Sequence, residues 1–382
     1  MTGTYDTVVV GAGIAGCMAA RELAADREVL VLDRDGVAGA ATGRSAGLVA
    51  PTLFFGDLPA VARHANAFVR AFDGTGGFEF TPRNRIDLVA EGTREEAEAT
   101  AVRLDDGGFP VSYLDADAVR ERYPSLRMDG FAGAVEYRDT GWVDPYSYAT
   151  ALADDANERG ATVETGTTVT GLLVEDDAVA GVETNRGSYH ADEVVVAAGW
   201  RSRDLLAGGI DLPLRPYRTQ CVVLEPDEPL SESFPLVRAR DEHLYMRPEH
   251  SGDLLVGGSP HLIDDPEGAS SSADESFRNQ CAAAIPDLFH GFGAAGVVND
   301  WAGVDAATPD ARPIVDAPRT GPEGLVVATG FNGLGVMLSP VVGPAVRELL
   351  GGRSATFPLD PFELDRFEGS GDDFGLTSTS DV

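Results

Sequence analysis

The stretch TYDTVVVGAGIAGCMAARELAADREVLVLDRD, residues 4–35, constrains the fold more than any other part of the chain. Thr7 to Val10 has the length and β-branched content of a buried strand. It runs into Gly11-Ala12-Gly13-Ile14-Ala15-Gly16, then a helical stretch from Cys17 to Ala25, then a second apolar run, Glu28 to Leu32, ending on Asp33. Each glycine has a task in such a unit. Gly11 permits the tight turn, Gly13 lets backbone approach a pyrophosphate with no Cβ in the way, and Gly16 lets the helix pack close to the strand. The helix start offers unpaired N–H groups and partial positive charge to phosphate. Asp33 lies twenty-two positions after Gly11, where an acid at the end of the second strand takes ribose hydroxyls.

Glycine-rich turns are common in a chain with 45 glycines, so a lone G-x-G-x-x-G is weak. Here strand, turn, helix, strand and acid follow in the required order, and the unit reads as dinucleotide-binding rather than as a plain strand-to-helix connection. The pattern by itself fits NAD and FAD equally.

At 382 residues the chain suits two domains and can bury a substantial core. Its charge is unusual: 62 acidic against 29 basic residues give −33, and the basic residues are all arginine, with no lysine. Such a surface repels phosphate backbones and anionic lipids, so neither nucleic acid nor a membrane is an expected partner. In molar salt the Debye length falls to about 3 Å and screens this self-repulsion, so a halophilic source accounts best for the charge. Cys17, Cys221 and Cys281 are far apart with no C-x-x-C, which fits neither a disulfide framework nor a metal cluster; no metal is expected. No run approaches roughly eighteen apolar residues, and the N-terminus enters the first strand without a secretion signal, so a soluble cytoplasmic protein is expected.

Further along, Gly36 to Pro51 is too rich in small residues for a stable helix and reads as a closely packed loop. Leu58 to Phe72 and Glu91 to Gly107 have helical patterns, Phe78 to Val89 reads as strands of a second region, and Asp115 suits the cap of a short helix to Tyr123. Asp144 to Arg159 reads as a helix stopped by Gly160, followed by short strands up to the buried run Val194 to Ala197. Residues 214–258 are mostly strand-like and Ser270 to Phe289 is helical. Leu325 to Ala328 is one more buried strand, leading into the glycine-rich turn Gly330 to Gly335 and an apolar helix from Val336 to Leu350. A helix start there can stabilise an anion, including the charge of a reduced flavin. The acidic tail, 366–382, has little to bury and is expected to be mobile.

These segments resemble the FAD-dependent amino-acid and amine oxidoreductases of the D-amino-acid oxidase, glycine oxidase and sarcosine oxidase type, from about Tyr5 to Leu350. The likeness rests on VVVGAGIAG with LDRD, ATGRSAGL, GWVDPYSYATALADDANERGA, VVVAAGWRS, YMRPEHSGDLLVGGS, WAGVDAATPDARPIVD and TGFNGLGVMLSPVVGPAVRELL. WAG followed by TPD looks most like the sarcosine oxidase β-subunit and proline dehydrogenase branch. The resemblance implies an α/β fold. A Rossmann-like FAD-binding domain (1–78, 141–210 and 300–365) would be interleaved with an α+β substrate domain (79–140 and 211–299) containing a mostly antiparallel sheet.

By the same resemblance, Gly11, Gly13, Ile14, Ala15, Gly16 and Asp33 would hold the pyrophosphate and adenine ribose of FAD, with Arg34 and Val169 beside the adenine. Thr42, Gly43, Arg44 and Ser45 would line the pyrophosphate and flavin side, and Ala198, Gly199 and Trp200 the diphosphate. Gly303, Gly330 and Asn332 would complete the cofactor site, and Gly333, Leu334, Gly335, Val336 and Met337 would place N–H groups at the flavin O2 edge. This chain also departs from the pattern. The usual FSGHG turn is Phe331-Asn332-Gly333-Leu334-Gly335, without its histidine, and the lysine that follows it in monomeric sarcosine oxidases aligns with Met337. The arginine of the glycine oxidase AGLRP motif aligns with Asp305. No cysteine stands in the WAG–TPD segment, where Trp301 begins instead, so FAD is expected to be noncovalent.

Oxidation of an amine by flavin asks for a neutral amine, a C–H aimed at flavin N5 and a counter-charge that fixes the substrate. An arginine would hold a substrate carboxylate bidentately. The candidates are Arg44, Arg215, Arg218 and Arg247, with Tyr245 and His243 at strand spacing from Arg247. Tyr245, Arg247 and Arg218 are the expected substrate-side residues. The leading expectation is oxidation of the C–N bond of a glycine-, sarcosine-, D-amino-acid- or proline-like substrate. Oxidation of a C–O bond, a flavin subunit that needs partner chains and a non-catalytic dinucleotide-binding protein are the alternatives. The electron acceptor and the oligomeric state stay open at this stage.

Overall fold

The computed structural model describes residues 3–367 and 373–377. Two eight-stranded sheets make up most of it, joined by a small three-stranded sheet.

The first sheet grows from the N-terminal unit. The apolar run forms the strand Thr4–Val10, the glycine turn leads into the helix Ile14–Leu23, and the second run forms the strand Val29–Asp33. Thr4–Val10 lies between Val29–Asp33 and Gly187–Val196, parallel to both. Thr162–Thr165 extends the parallel array on one side and Leu325–Thr329 on the other. Its strands read as continuous apolar runs because both faces are covered. Against one face pack Ile14–Leu23 and the long apolar helix Gly335–Leu349, in a core that includes Met18, Leu23, Leu338 and Val342. The turns that leave the C-terminal ends of these strands all open to one side, where α/β sheets bind their ligands.

The second sheet runs in the order 296–307, 215–225, 254–262, 244–248, 236–239, 85–90, 131–137, 111–115. Every pair is antiparallel except 236–239 with 85–90. Alternation sets its two faces. Val222, Leu224, Leu244, Met246, Leu254 and Val256 turn toward the helix Glu275–Leu288, while Tyr217, Thr219 and Tyr245 turn toward the first sheet's open end. The strand Gly296–Ala307 pairs along the whole of Arg215–Glu225. A division at residue 300 would cut through this strand, because its hydrogen bonds tie it to the second sheet.

Most helices lie close to their expected spans: Pro59–Phe72, Arg94–Asp106, Pro145–Glu158, Glu275–Leu288 and Gly335–Leu349. Asp144 caps one of them, accepting the Ser147 N–H at 2.7 Å. Gly36 to Pro51 is a loop interrupted by a short turn, Thr42–Arg44, and a two-residue strand, Leu48–Val49. Of the tail expected to be mobile, residues 368–372 and 378–382 lie outside the described residues. Residues 373–377 lie along the protein, where the Arg215 guanidinium donates to the Phe374 carbonyl at 2.7 Å. Among the described residues no helix is long and apolar enough to cross a membrane.

Candidate active site

A cavity of about 670 Å³ lies between the open end of the first sheet and the polar face of the second. Its first wall is the glycine turn. Gly11 has φ +107°, and a Cβ there would come within 2.5 Å of the Ala197 carbonyl oxygen. A Cβ on Gly16 would lie 1.8 Å from the Gly11 carbonyl oxygen, so this glycine is demanded by helix-to-strand packing. Gly13 differs: the closest atom to its Cβ position would be Thr42 Oγ1 at 3.4 Å. Protein would tolerate a side chain at Gly13, and the space it leaves belongs to the cavity. Thr42 Oγ1 accepts the Ile14 N–H at 3.0 Å, and neither Ile14–Leu23 nor Gly335–Leu349 has an N-cap side chain of its own. Two helix starts with backbone donors thus face one cavity, which suits an elongated anionic ligand.

Asp33 accepts the Ala12 N–H at 2.7 Å and the Asp35 and Gly36 N–H groups at 2.8 and 2.9 Å. It fixes the turn and also lines the cavity. Arg34, Val169, Ala198, Gly199 and Trp200 continue the wall at that end. Across the opening, Glu267 from the loop before Glu275–Leu288 accepts from Arg34 at 3.1 and 3.3 Å and from Arg201 at 3.1 Å. Hydrogen bonds from Arg201 and then Arg34 lower the Glu267 carboxyl to about 2.

Ile14, Ala15, Arg44, Ser45, Gly303, Asn332 and Gly333 to Met337 also line the cavity, whereas Gly16, Gly43 and Gly330 shape its walls without facing it. Asn332 is buried and bonded to Thr308 and to the Gly330 carbonyl, which holds the second glycine turn in shape.

The second sheet contributes a polar floor. Tyr245 lies across Gly257, where a Cβ would come 2.2 Å from its ring. Burial raises the Tyr217 and Tyr245 phenols well above their ordinary value, so both remain O–H donors. Opposite Tyr245 on the neighbouring strand is Arg238. Arg238 and Arg85 both line the cavity and both reach Asp87, at 3.3 and 2.6 Å.

Two expected substrate residues stand elsewhere. Arg247 shares the face of Tyr245 but lies one pleat beyond the cavity. Its Nε donates to the Ala46 carbonyl at 2.6 Å, Glu249 pairs with it at 3.0 Å, and its guanidinium stacks 4.1 Å from the Trp142 ring centre. Arg218 alternates with Tyr217 and Thr219 and so points to the opposite face, where it binds Asp274 at 2.8 Å and the Ser270 carbonyl at 3.0 Å. Arg215 is taken up by Phe374, and neither it nor His243 lines the cavity. The sequence reading missed Tyr217, Arg85 and Arg238. The glycine pair inside the strand sequence LLVGGS was the signal for the Tyr245 ring lying on the sheet; nothing local announced Tyr217 or the arginines.

The three cysteines are buried, and desolvation pushes their thiols up to about 12. Among the described residues no group of His, Cys, Asp or Glu is placed to hold a metal ion.

Residues 6–349 match the family model described as DAO, FAD dependent oxidoreductase. The chain is 27% identical to the sarcosine oxidase subunit beta of an Arthrobacter species, over 96% of this chain and 91% of that protein. It is 29% identical to the glycine oxidase of Geobacillus kaustophilus, over 97% and 99%. In fold it is similar to the crystal structure of L-proline dehydrogenase from P. horikoshii, with a TM-score of 0.88 at 24% identity, covering 97% of this chain and 99% of that one.

Proposed function

Because the chain belongs to the DAO family of FAD-dependent oxidoreductases, we propose that it oxidises the C–N bond of a small amino acid or secondary amine, with Arg44 as the anchor for the substrate carboxylate. One observation carries the anchor. Arg44 lines the cavity, yet its guanidinium makes no ion pair with any described residue, in a chain with 62 acidic side chains. It stands beside Gly303, where a Cβ would come 2.6 Å from the Arg44 Cβ. The relatives named for glycine and sarcosine support an amine that bears a carboxylate.

The residues fit FAD: the space left at Gly13, two helix starts without an N-cap side chain of their own and a cavity that continues to a polar sheet. Gly11, Gly13, Ile14 and Ala15 would hold it at the first turn, Asp33, Arg34 and Val169 at one end, and Gly333 to Met337 at the second turn. When bound, FAD supplies the two-electron acceptor. The rest falls to this chain's side chains. Arg44 fixes the carboxylate and so limits the orientations of the α carbon. Tyr245, kept protonated, offers a donor on the floor, while the Tyr217 hydroxyl donates to Asp305; the amine's own proton is left to a different group. The apolar wall of Leu48, Phe54 and Met337 excludes water from the same space.

Arg44→Met and Arg44→Lys test the anchor in FAD-loaded protein. Loss of a charge-assisted contact of about 2–3 kcal/mol predicts a fall of roughly 30- to 150-fold in kcat/KM for Met, mostly through KM, with partial recovery in Lys. An unchanged kcat/KM in the Met variant would remove Arg44 from the substrate site.

A further inference from the structure

We infer that Asp305 receives the nitrogen of the substrate in the ammonium form in which it enters, before the proton loss that oxidation requires, and makes the site select an ammonium group over a neutral group of the same shape. The inference rests on the amine reading above and adds the residue that recognises the nitrogen.

Asp305 lies on the strand Gly296–Ala307, directly opposite Tyr217, and lines the cavity. Its carboxylate is held on three sides. Oδ1 accepts the Ala306 N–H at 2.8 Å, Oδ2 accepts the Gly333 N–H at 2.7 Å, and the Tyr217 hydroxyl donates to Oδ2 at 3.5 Å. A carboxylate has about four acceptor sites, so capacity remains on a group that lines the cavity. The bond to Gly333 places it at the second glycine turn, and the one to Tyr217 at the edge of the polar floor. The group therefore stands where the two halves of the cavity meet.

Arg44, Arg85 and Arg238 line the same cavity, but none is paired with Asp305. None of the 29 arginines forms an ion pair with Asp305 within 4.0 Å among the described residues. Two other interior acids are paired, Asp87 with Arg85 and Arg238, and Glu136 with Arg122 and Arg138, whereas Asp316, which does not line this cavity, is held like Asp305 by a backbone N–H. Burial raises the Asp305 carboxyl above its ordinary range. An arriving cation reverses that cost, because an opposite charge beside a buried carboxyl favours its ionised form. A neutral group brings no such gain. The preference for an ammonium ion follows from this difference.

The probes are 2-aminoisobutyrate and 2-hydroxyisobutyrate, which share a shape and a carboxylate and differ in carrying an ammonium or a hydroxyl group. Neither has an α C–H, so neither can be oxidised there. Their affinities are read from changes in the absorbance of bound flavin in the FAD-loaded wild type, Asp305→Asn and Asp305→Glu. The Asn variant keeps an acceptor for the Gly333 N–H, so a purely structural role would leave selectivity unmoved. The wild type is expected to prefer the amino acid by at least about tenfold, as for one charge-assisted contact. In Asp305→Asn the preference should fall by about the same factor, with 2-hydroxyisobutyrate binding nearly unchanged, and Asp305→Glu should restore part of it. A wild type without the preference, or an Asn variant that retains it, overturns the inference. Neither result depends on turnover, so a failure of the amine-oxidation reading would be seen separately, as flavin that no amine reduces.

Discussion

Arg247 is anchored on all sides, to the Ala46 carbonyl, Glu249 and the Trp142 ring, and is only 4% exposed. Removing it leaves a carboxylate and a carbonyl without their donor. Arg247→Met is therefore expected to lose about 2–4 kcal/mol of unfolding free energy. The same variant should keep kcat/KM within about twofold once loaded with FAD. Denaturant unfolding alongside steady-state kinetics checks both; intact stability with lost turnover would place Arg247 against the substrate after all. At this scale the glycine turn was the readable part. Gly11 and Gly16 are legible because a tight turn and a close helix each exclude a side chain, and the space left at Gly13 opens into the cavity. Substrate-side residues were harder. Alternation placed Tyr245 and Arg247 on one face, but how far along that face the cavity extends depends on what packs above it, here Ala46 and Trp142.

Among elements, the loop carrying Glu267 reaches from the second sheet to Arg34 and Arg201 beside the first. The Glu267 carboxyl is lowered from 4.5 to about 2 in the folded protein. A depressed carboxyl contributes stability above its unfolded value, and the contribution is lost as pH falls toward the folded value. The difference in melting temperature between wild type and Glu267→Gln should therefore be full above pH 4.5 and shrink between there and about pH 2. The Glu267 side chain is 58% exposed, so the effect should be small and should fade in molar salt. A difference that grows on acidification would contradict this account. The arginines of the floor were unreadable for a related reason. Arg238 faces Tyr245, and Arg85 lies one strand further on, through a parallel pairing of 236–239 with 85–90. Partners so distant in the chain follow from sheet order, which local pattern does not carry. The strand Gly296–Ala307 crossed the expected domain boundary for the same reason: its motifs mark the cofactor side, while its hydrogen bonds belong to the second sheet.

For the molecule as a whole, the −33 charge and the complete absence of lysine bear on the electron acceptor. Reaction of reduced flavin with oxygen builds up superoxide-like charge, which a fixed cation beside the flavin would stabilise. In the first turn of the helix Gly335–Leu349 this chain offers Met337 and no lysine. We propose that it works as a dehydrogenase. Reoxidation by an artificial acceptor should outpace reoxidation by air severalfold; equal rates with stoichiometric peroxide would mark an oxidase.

The central claim is flavin-dependent oxidation at a C–N bond, and an anaerobic reduction experiment tests it most directly. The protein is purified in high salt with FAD and mixed without oxygen with glycine, sarcosine, D-alanine and L-proline, and separately with lactate and glycerol 3-phosphate. The account predicts that at least one of the amines bleaches the visible flavin band, with one equivalent of oxidised product per flavin, while lactate and glycerol 3-phosphate leave it coloured. Bleaching by either of those two alone, or a preparation that binds NAD and no flavin, would contradict it.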